Sequence, residues 1–108
     1  MNTNKFQQRL KQFYQETGYA EVDSFVFLGL LTEDTGKVAR IMRELEFGPH
    51  PLKTQITSDK MNKKLLSESI GNLLGNLTLI ATHYDIELQD ICEEHIEKLE
   101  KLHSMMHN

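Results

Sequence analysis

The 108 residues, 39% hydrophobic and 26% charged, are enough for one globular domain spanning 1–108 and too few for two independent ones. Sixteen acidic against twelve basic side chains give a formal net charge of −4, which offers a phosphate backbone no electrostatic advantage and argues against nucleic-acid binding. The longest apolar stretches, 24–31 and 76–81, fall far short of the roughly 20 residues of a membrane span, and no basic segment leads into an apolar one. With Cys92 as the sole cysteine there is neither an internal disulfide nor a cysteine-built zinc cage, and a cytoplasmic protein is the expectation.

Phe6, Leu10, Phe13 and Tyr14 recur at helical spacing and predict a short first helix, stopped at Thr17-Gly18 because glycine accepts the left-handed conformation that ends helices. Asp23 or Ser24 can cap a second helix, with Phe25, Leu28, Leu31, Val38, Met42 and Leu45 on or near one face. The only prolines, Pro49 and Pro51, end it and open a polar connection over about 47–62. In the third helix Leu66, Ile70, Leu73, Leu77, Ile80 and Tyr84 step alternately by four and three, the spacing of a bundle seam. Ser67, Gly71 and Gly75 form a small-residue stripe on another face, suited to close helix packing within or between subunits.

After a turn at Asp85, a fourth helix from about Leu88 is expected to direct Leu88, Ile91, His95, Leu99, Leu102 and Met106 inward. Glu93, Glu94, Glu97, Lys98 and Lys101 then face water, and residues 103–108 fray. No run alternates with period two and no long repeat occurs, so the architecture reads as an all-α bundle of four to five helices.

Two segments carry a family likeness: Leu30-Leu31-Thr32-Glu33-Asp34-Thr35-Gly36-Lys37-Val38-Ala39-Arg40, and some thirty residues later Glu68-Ser69-Ile70-Gly71-Asn72-Leu73-Leu74. They resemble the motifs L-x-E-E-x-G-E-L-A and E-E-x-G-D-V-L of the MazG-like all-α nucleoside triphosphate pyrophosphohydrolases. The stretch 80–88, Ile-Ala-Thr-His-Tyr-Asp-Ile-Glu-Leu, is similar to that family's L-A-x-x-x-G-I-x-L passage and sets the register independently. The resemblance covers about Phe6 to Lys101. It implies four carboxylates on two facing helices holding one or two magnesium ions, which grip a triphosphate and activate the water that releases pyrophosphate. It also implies association into dimers or dimers of dimers, so a homodimer or homotetramer is expected.

Carried over residue by residue, the motif departs from the family where its chemistry resides. The leading glutamate is Glu33, and the four metal-holding positions fall on Asp34, Lys37, Ser69 and Asn72. One carboxylate and one ammonium thus stand where the family has four carboxylates. Each carboxylate-to-dication attraction at about 4 Å is worth several kcal/mol even at an effective dielectric near 20. Three such losses exceed the roughly 8 kcal/mol of micromolar affinity, so no metal cofactor and no catalysis are expected, with the fold, oligomerisation and weak nucleotide binding retained.

The alternative is an active, diverged pyrophosphohydrolase holding displaced magnesium through Glu33, Asp34 and Glu68. Glu68 lies a 100° rotation from the family's ligand position, so its recruitment needs an unwound turn. Lys37 can bring its ammonium to Glu33 and Asp34. It then either stands in for metal and meets a phosphate or forms an ordinary helix ion pair, and the second is favoured. The resemblance also places Lys98 where the family commonly has a lysine late in the last helix, a second candidate for phosphates, although a lone lysine on a charged helix is more often simply solvent-exposed.

Other matches are weaker. Glu93-Glu94-x-x-Glu97 and Glu87-x-x-Asp90 fit the motif letters on one continuous helix in the wrong order, and read as a solvated face. Cys92 with His95, and His103 with His107, have metal-compatible spacing but too few partners.

Overall fold

The computed structural model describes residues 1–18, 23–53 and 56–107. Among these are four helices and no strand: α1 (Thr3–Thr17), α2 (Ser24–Phe47), α3 (Asp59–His83) and α4 (Leu88–Met106). The chain forms two compact units, one of Met1–Glu21 with Thr78–Asn108 and one of Val22–Leu77, so α3 contributes residues to both. No described helix is long and apolar enough to cross a membrane.

Helix boundaries follow local chemistry. Asn2 caps α1 by accepting from the Lys5 amide at 2.9 Å, and Gly18 closes it at φ 81°. Asp23 caps α2 through the Phe25 amide at 2.8 Å. At the far end of α2 the Gly48 amide, at φ 81°, donates to the Glu44 carbonyl before Pro49 and Pro51 forbid continuation. α3 starts at Asp59, inside the span expected to be loop, because the Ser58 hydroxyl accepts from the Met61 amide at 3.1 Å. α4 runs through Met106, past the point where fraying is expected, with the His107 amide donating to the Ser104 carbonyl.

The passage from α3 to α4 closes without a glycine. Asp85 sits in the left-handed region at φ 57°, its amide donating to the Thr82 carbonyl while the Ile86 amide donates to that of Ala81. This is the paired closure of a Schellman motif, with aspartate where glycine is the usual residue.

In the unit built from α1, α4 and the end of α3, Gln7 supplies the cross-links. Its Nε2 donates to the Thr82 hydroxyl (3.0 Å) and to the Ile86 carbonyl (2.9 Å), while its Oε1 accepts from the Leu88 amide (2.8 Å). Glu87, at the N-cap of α4, makes no side-chain capping bond, so Gln7 from another helix does that work.

The buried faces differ from those the apolar pattern predicts. On α3 the deepest positions in the Val22–Leu77 unit are Asn62, Ser69 and Asn76, seven residues apart and on one face. Ile70 and Leu77 are half exposed and Tyr84 more so, while Leu66, Leu73 and Ile80 are partly covered flanks. On α2 the buried positions are Asp34, Ile41 and Glu44, whereas Phe25, Leu28 and Met42 face outward. Hydrogen bonding explains the rotation. Asn62 accepts from the Thr57 hydroxyl at 2.7 Å, Glu44 accepts from Lys53 at 2.7 Å, and Asp34 accepts from Asn76, so buried polar groups that need partners have them.

α4 departs most from expectation. Of its predicted inward set only Leu88 is buried; Ile91, His95, Leu99, Leu102 and Met106 are exposed. The Cβ positions at Gly71 and Gly75 meet nothing within 4 Å, so no described part of this chain fills that groove.

Replacing Gln7 by Ala would strand the Leu88 amide and Ile86 carbonyl. Urea unfolding is expected to show a loss of about 1–3 kcal/mol. Gln7→Glu, which keeps the acceptor and removes both donors, should not restore it.

Candidate functional site

The resemblance directs attention to the middle of α2 and of α3. Asp34, 7% exposed, lies on the buried face of α2, and its Oδ2 accepts from the Nδ2 of Asn76 at 3.0 Å. These two residues are 42 positions apart and form a buried side-chain pair. Asn76 is 8% exposed and stands one turn beyond Asn72 on α3. Asn72 itself is exposed, as is Glu68, whereas Ser69 is buried on the same face as Asn76.

An amide is a neutral donor with fixed geometry. It satisfies a carboxylate lone pair without bringing charge. Among the described residues no group of three or more His, Cys, Asp and Glu side chains is gathered as a metal cage.

Lys37 does not join this pair. Its Nζ lies 3.4 Å from Glu33 Oε1 in an i, i+4 pair whose side chains are both well exposed, so each half of the pair is solvated. Lys98 is an exposed residue of α4, in the other compact unit. Of the candidates, Asp34 and Ser69 lie on buried faces, Glu33 and Lys37 pair on the outer face of α2, and Glu68 and Asn72 face outward.

The weaker motifs are also located. Glu93, Glu94 and Glu97 form an exposed face of α4, with Glu93 accepting from Gln89 at 2.9 Å. Cys92 is exposed and forms no disulfide with any described residue. The His103 and His107 rings stack with centroids 4.1 Å apart, and the His107 Nδ1 donates to the His103 carbonyl at 3.0 Å.

Sequence reasoning misses Asn76, Glu44 and Lys53. Asn76 opens the apolar run to Ala81, and an amide set into such a run is the available signal for a buried hydrogen-bonding role. Glu44 adjoins Leu45 on the apolar side of α2, yet its partner Lys53 comes from the connection, where spacing carries no information. The Lys53 hydrogen bond holds the Glu44 carboxyl below its ordinary value against the opposing effect of burial, and the charges of Lys53, Arg43 and Arg40 reinforce it.

Comparison with known proteins gives three findings. No protein-family model matches the chain. The uncharacterized protein YvdC of Bacillus subtilis (strain 168) is 34% identical over 92 residues, covering 85% of this chain and 87% of that protein. The crystal structure of Bacillus subtilis YpjD, described as a candidate pyrophosphatase, superposes with a TM-score of 0.68 at 20% identity, over 92% of this chain and 93% of that one. The chain therefore shares the helical fold of YpjD.

Removing the Asn76 amide should be felt through Asp34. Asn76→Ala leaves a buried carboxylate oxygen without its donor and is expected to cost about 1–3 kcal/mol in chemical denaturation, while Asn72→Ala, at an exposed position, stays within about 0.5 kcal/mol of the parent.

Proposed function

This chain belongs to the family of Bacillus subtilis YvdC, and we propose that it is a self-associating, non-catalytic homologue of the MazG-like nucleoside triphosphate pyrophosphohydrolases. The observation that carries the reading is the buried Asp34–Asn76 hydrogen bond: the one carboxylate left at the family's metal positions is engaged by a neutral amide. Lys37, Ser69 and Asn72 occupy the other three positions and contribute no negative charge. Magnesium is ordinarily held by one or two carboxylates together with substrate phosphates and retained waters, and on this reading the single carboxylate at these positions is already taken up by Asn76.

Self-association has separate support within each unit. α4 presents Ile91, Leu99, Leu102 and Met106 to water, and α3 presents Ile70 and Leu77 near the Gly71 and Gly75 positions, where an added Cβ would meet nothing within 4 Å. Contiguous apolar faces of this kind are characteristic of protein interfaces. A second copy is the occupant proposed, as a homodimer or homotetramer.

Two measurements test the two halves. Light scattering at micromolar concentration should give two or four times 12.5 kDa, and a 12.5 kDa mass overturns the association. Incubation with magnesium or manganese and the common ribo- and deoxyribonucleoside triphosphates should release no pyrophosphate beyond the rate of an Asp34→Ala control. Turnover that disappears in that control would instead establish a diverged enzyme built on Glu33, Asp34 and Glu68.

A further inference from the structure

We propose that the cleft at the C-terminal end of α2 is a binding site for a phosphoryl group, held by the Arg40 and Arg43 guanidiniums and the Nε2–H of His50. None of these residues is one of the positions Asp34, Lys37, Ser69 and Asn72, and the proposal does not rest on whether those positions are catalytic.

The site begins with helix periodicity. Arg40 and Arg43 are three apart on α2 and lie on one side of it, and both line a cleft of about 430 Å³ together with His50 and Lys53. A chain with net charge −4 places four nitrogen bases here around a single carboxylate, Glu44. That carboxylate is already neutralised, because Lys53 Nζ donates to it at 2.7 Å. Arg40 and Arg43 form no hydrogen bond or ion pair with any described residue, so the cleft keeps two uncompensated guanidiniums. Their field reaches the floor of the cleft, where both help to hold the Glu44 carboxyl low.

His50 adds an oriented donor. Its Nδ1 accepts from the Leu52 amide at 3.1 Å, and since a backbone amide can only donate, the neutral ring must carry its hydrogen on Nε2. Pro49 and Pro51 flank it and fix the backbone φ on either side, lowering the entropy lost when a ligand orders the segment. Two planar guanidinium forks and an imidazole N–H match the several acceptor oxygens of a phosphoryl group. The volume exceeds that of the anion alone, and Ile41 and Leu65 give the cleft an apolar side, so a phosphate monoester and free phosphate are both candidate sources.

Calorimetric titration of the full chain at constant ionic strength distinguishes them, with inorganic phosphate, ribose 5-phosphate and AMP as probes. Saturable binding is expected in the millimolar range or tighter, and Arg40→Gln/Arg43→Gln should weaken it by about tenfold or more. Tighter binding of the esters than of inorganic phosphate assigns the site to a phosphorylated metabolite, and equal binding assigns it to the free ion. Amide resonances of Gly48, His50 and Leu52 should shift with the probe. The result that overturns the proposal is no saturable binding of any probe, or binding that persists undiminished in the double variant with unchanged circular dichroism. Arg40→Lys/Arg43→Lys, which keeps the charge but loses the forks, should bind more weakly than the parent and more tightly than the glutamine pair.

Discussion

A carboxylate taken out of water must be given partners, and the way Asp34 is satisfied governs the rest of the Val22–Leu77 unit. Asn76 reaches it from α3, and that bond sets which faces of the two helices are interior. Asn62, Ser69 and Asn76 consequently occupy the buried line of α3, with Asp34, Ile41 and Glu44 on that of α2. A polar seam of this kind fixes register, since each group bonds in one arrangement, but it contributes less to stability than the same area of well-packed aliphatic side chains.

The second unit repeats the pattern with different residues. Gln7 spends both donors and its acceptor on the α3–α4 connection and on the first turn of α4, so one amide side chain aligns three segments. What neither unit provides is cover for its apolar surface: the aliphatic side chains of α4, and Ile70 with Leu77 on α3, stay open. Polar side chains set the geometry inside the chain, and on the function proposed above the hydrophobic driving force is spent between chains.

Element type was legible, and so were most boundaries, because local chemistry sets them; the start of α3 and the end of α4 were not. Gly18, Asp23, the Pro49/Pro51 pair and Asp85 act where a residue-by-residue reading puts them. The direction of each helix face was less legible. The Leu66 to Tyr84 repeat is a real amphipathic stripe, yet periodicity reports which side is apolar and not whether that side is covered by the same chain. At the candidate site, the i, i+4 reach of Lys37 to Glu33 was readable from spacing. The Asn76 donor was not, because it lies outside the motif and its partner is remote in sequence. Lys53 and Gln7 escaped for the same reason, since long-range hydrogen bonds leave no local spacing to detect.

The claim on which the functional account turns is that Asn76, and not a divalent cation, satisfies Asp34. It is tested most directly by following the Asn76 side-chain NH₂ and the Asp34, Ser69 and Asn72 backbone amides in ¹H–¹⁵N spectra while magnesium and then manganese are added. The account predicts that these resonances hold their positions through the magnesium titration and undergo no selective paramagnetic broadening with manganese. A saturable shift or manganese broadening centred on Asp34 would contradict it.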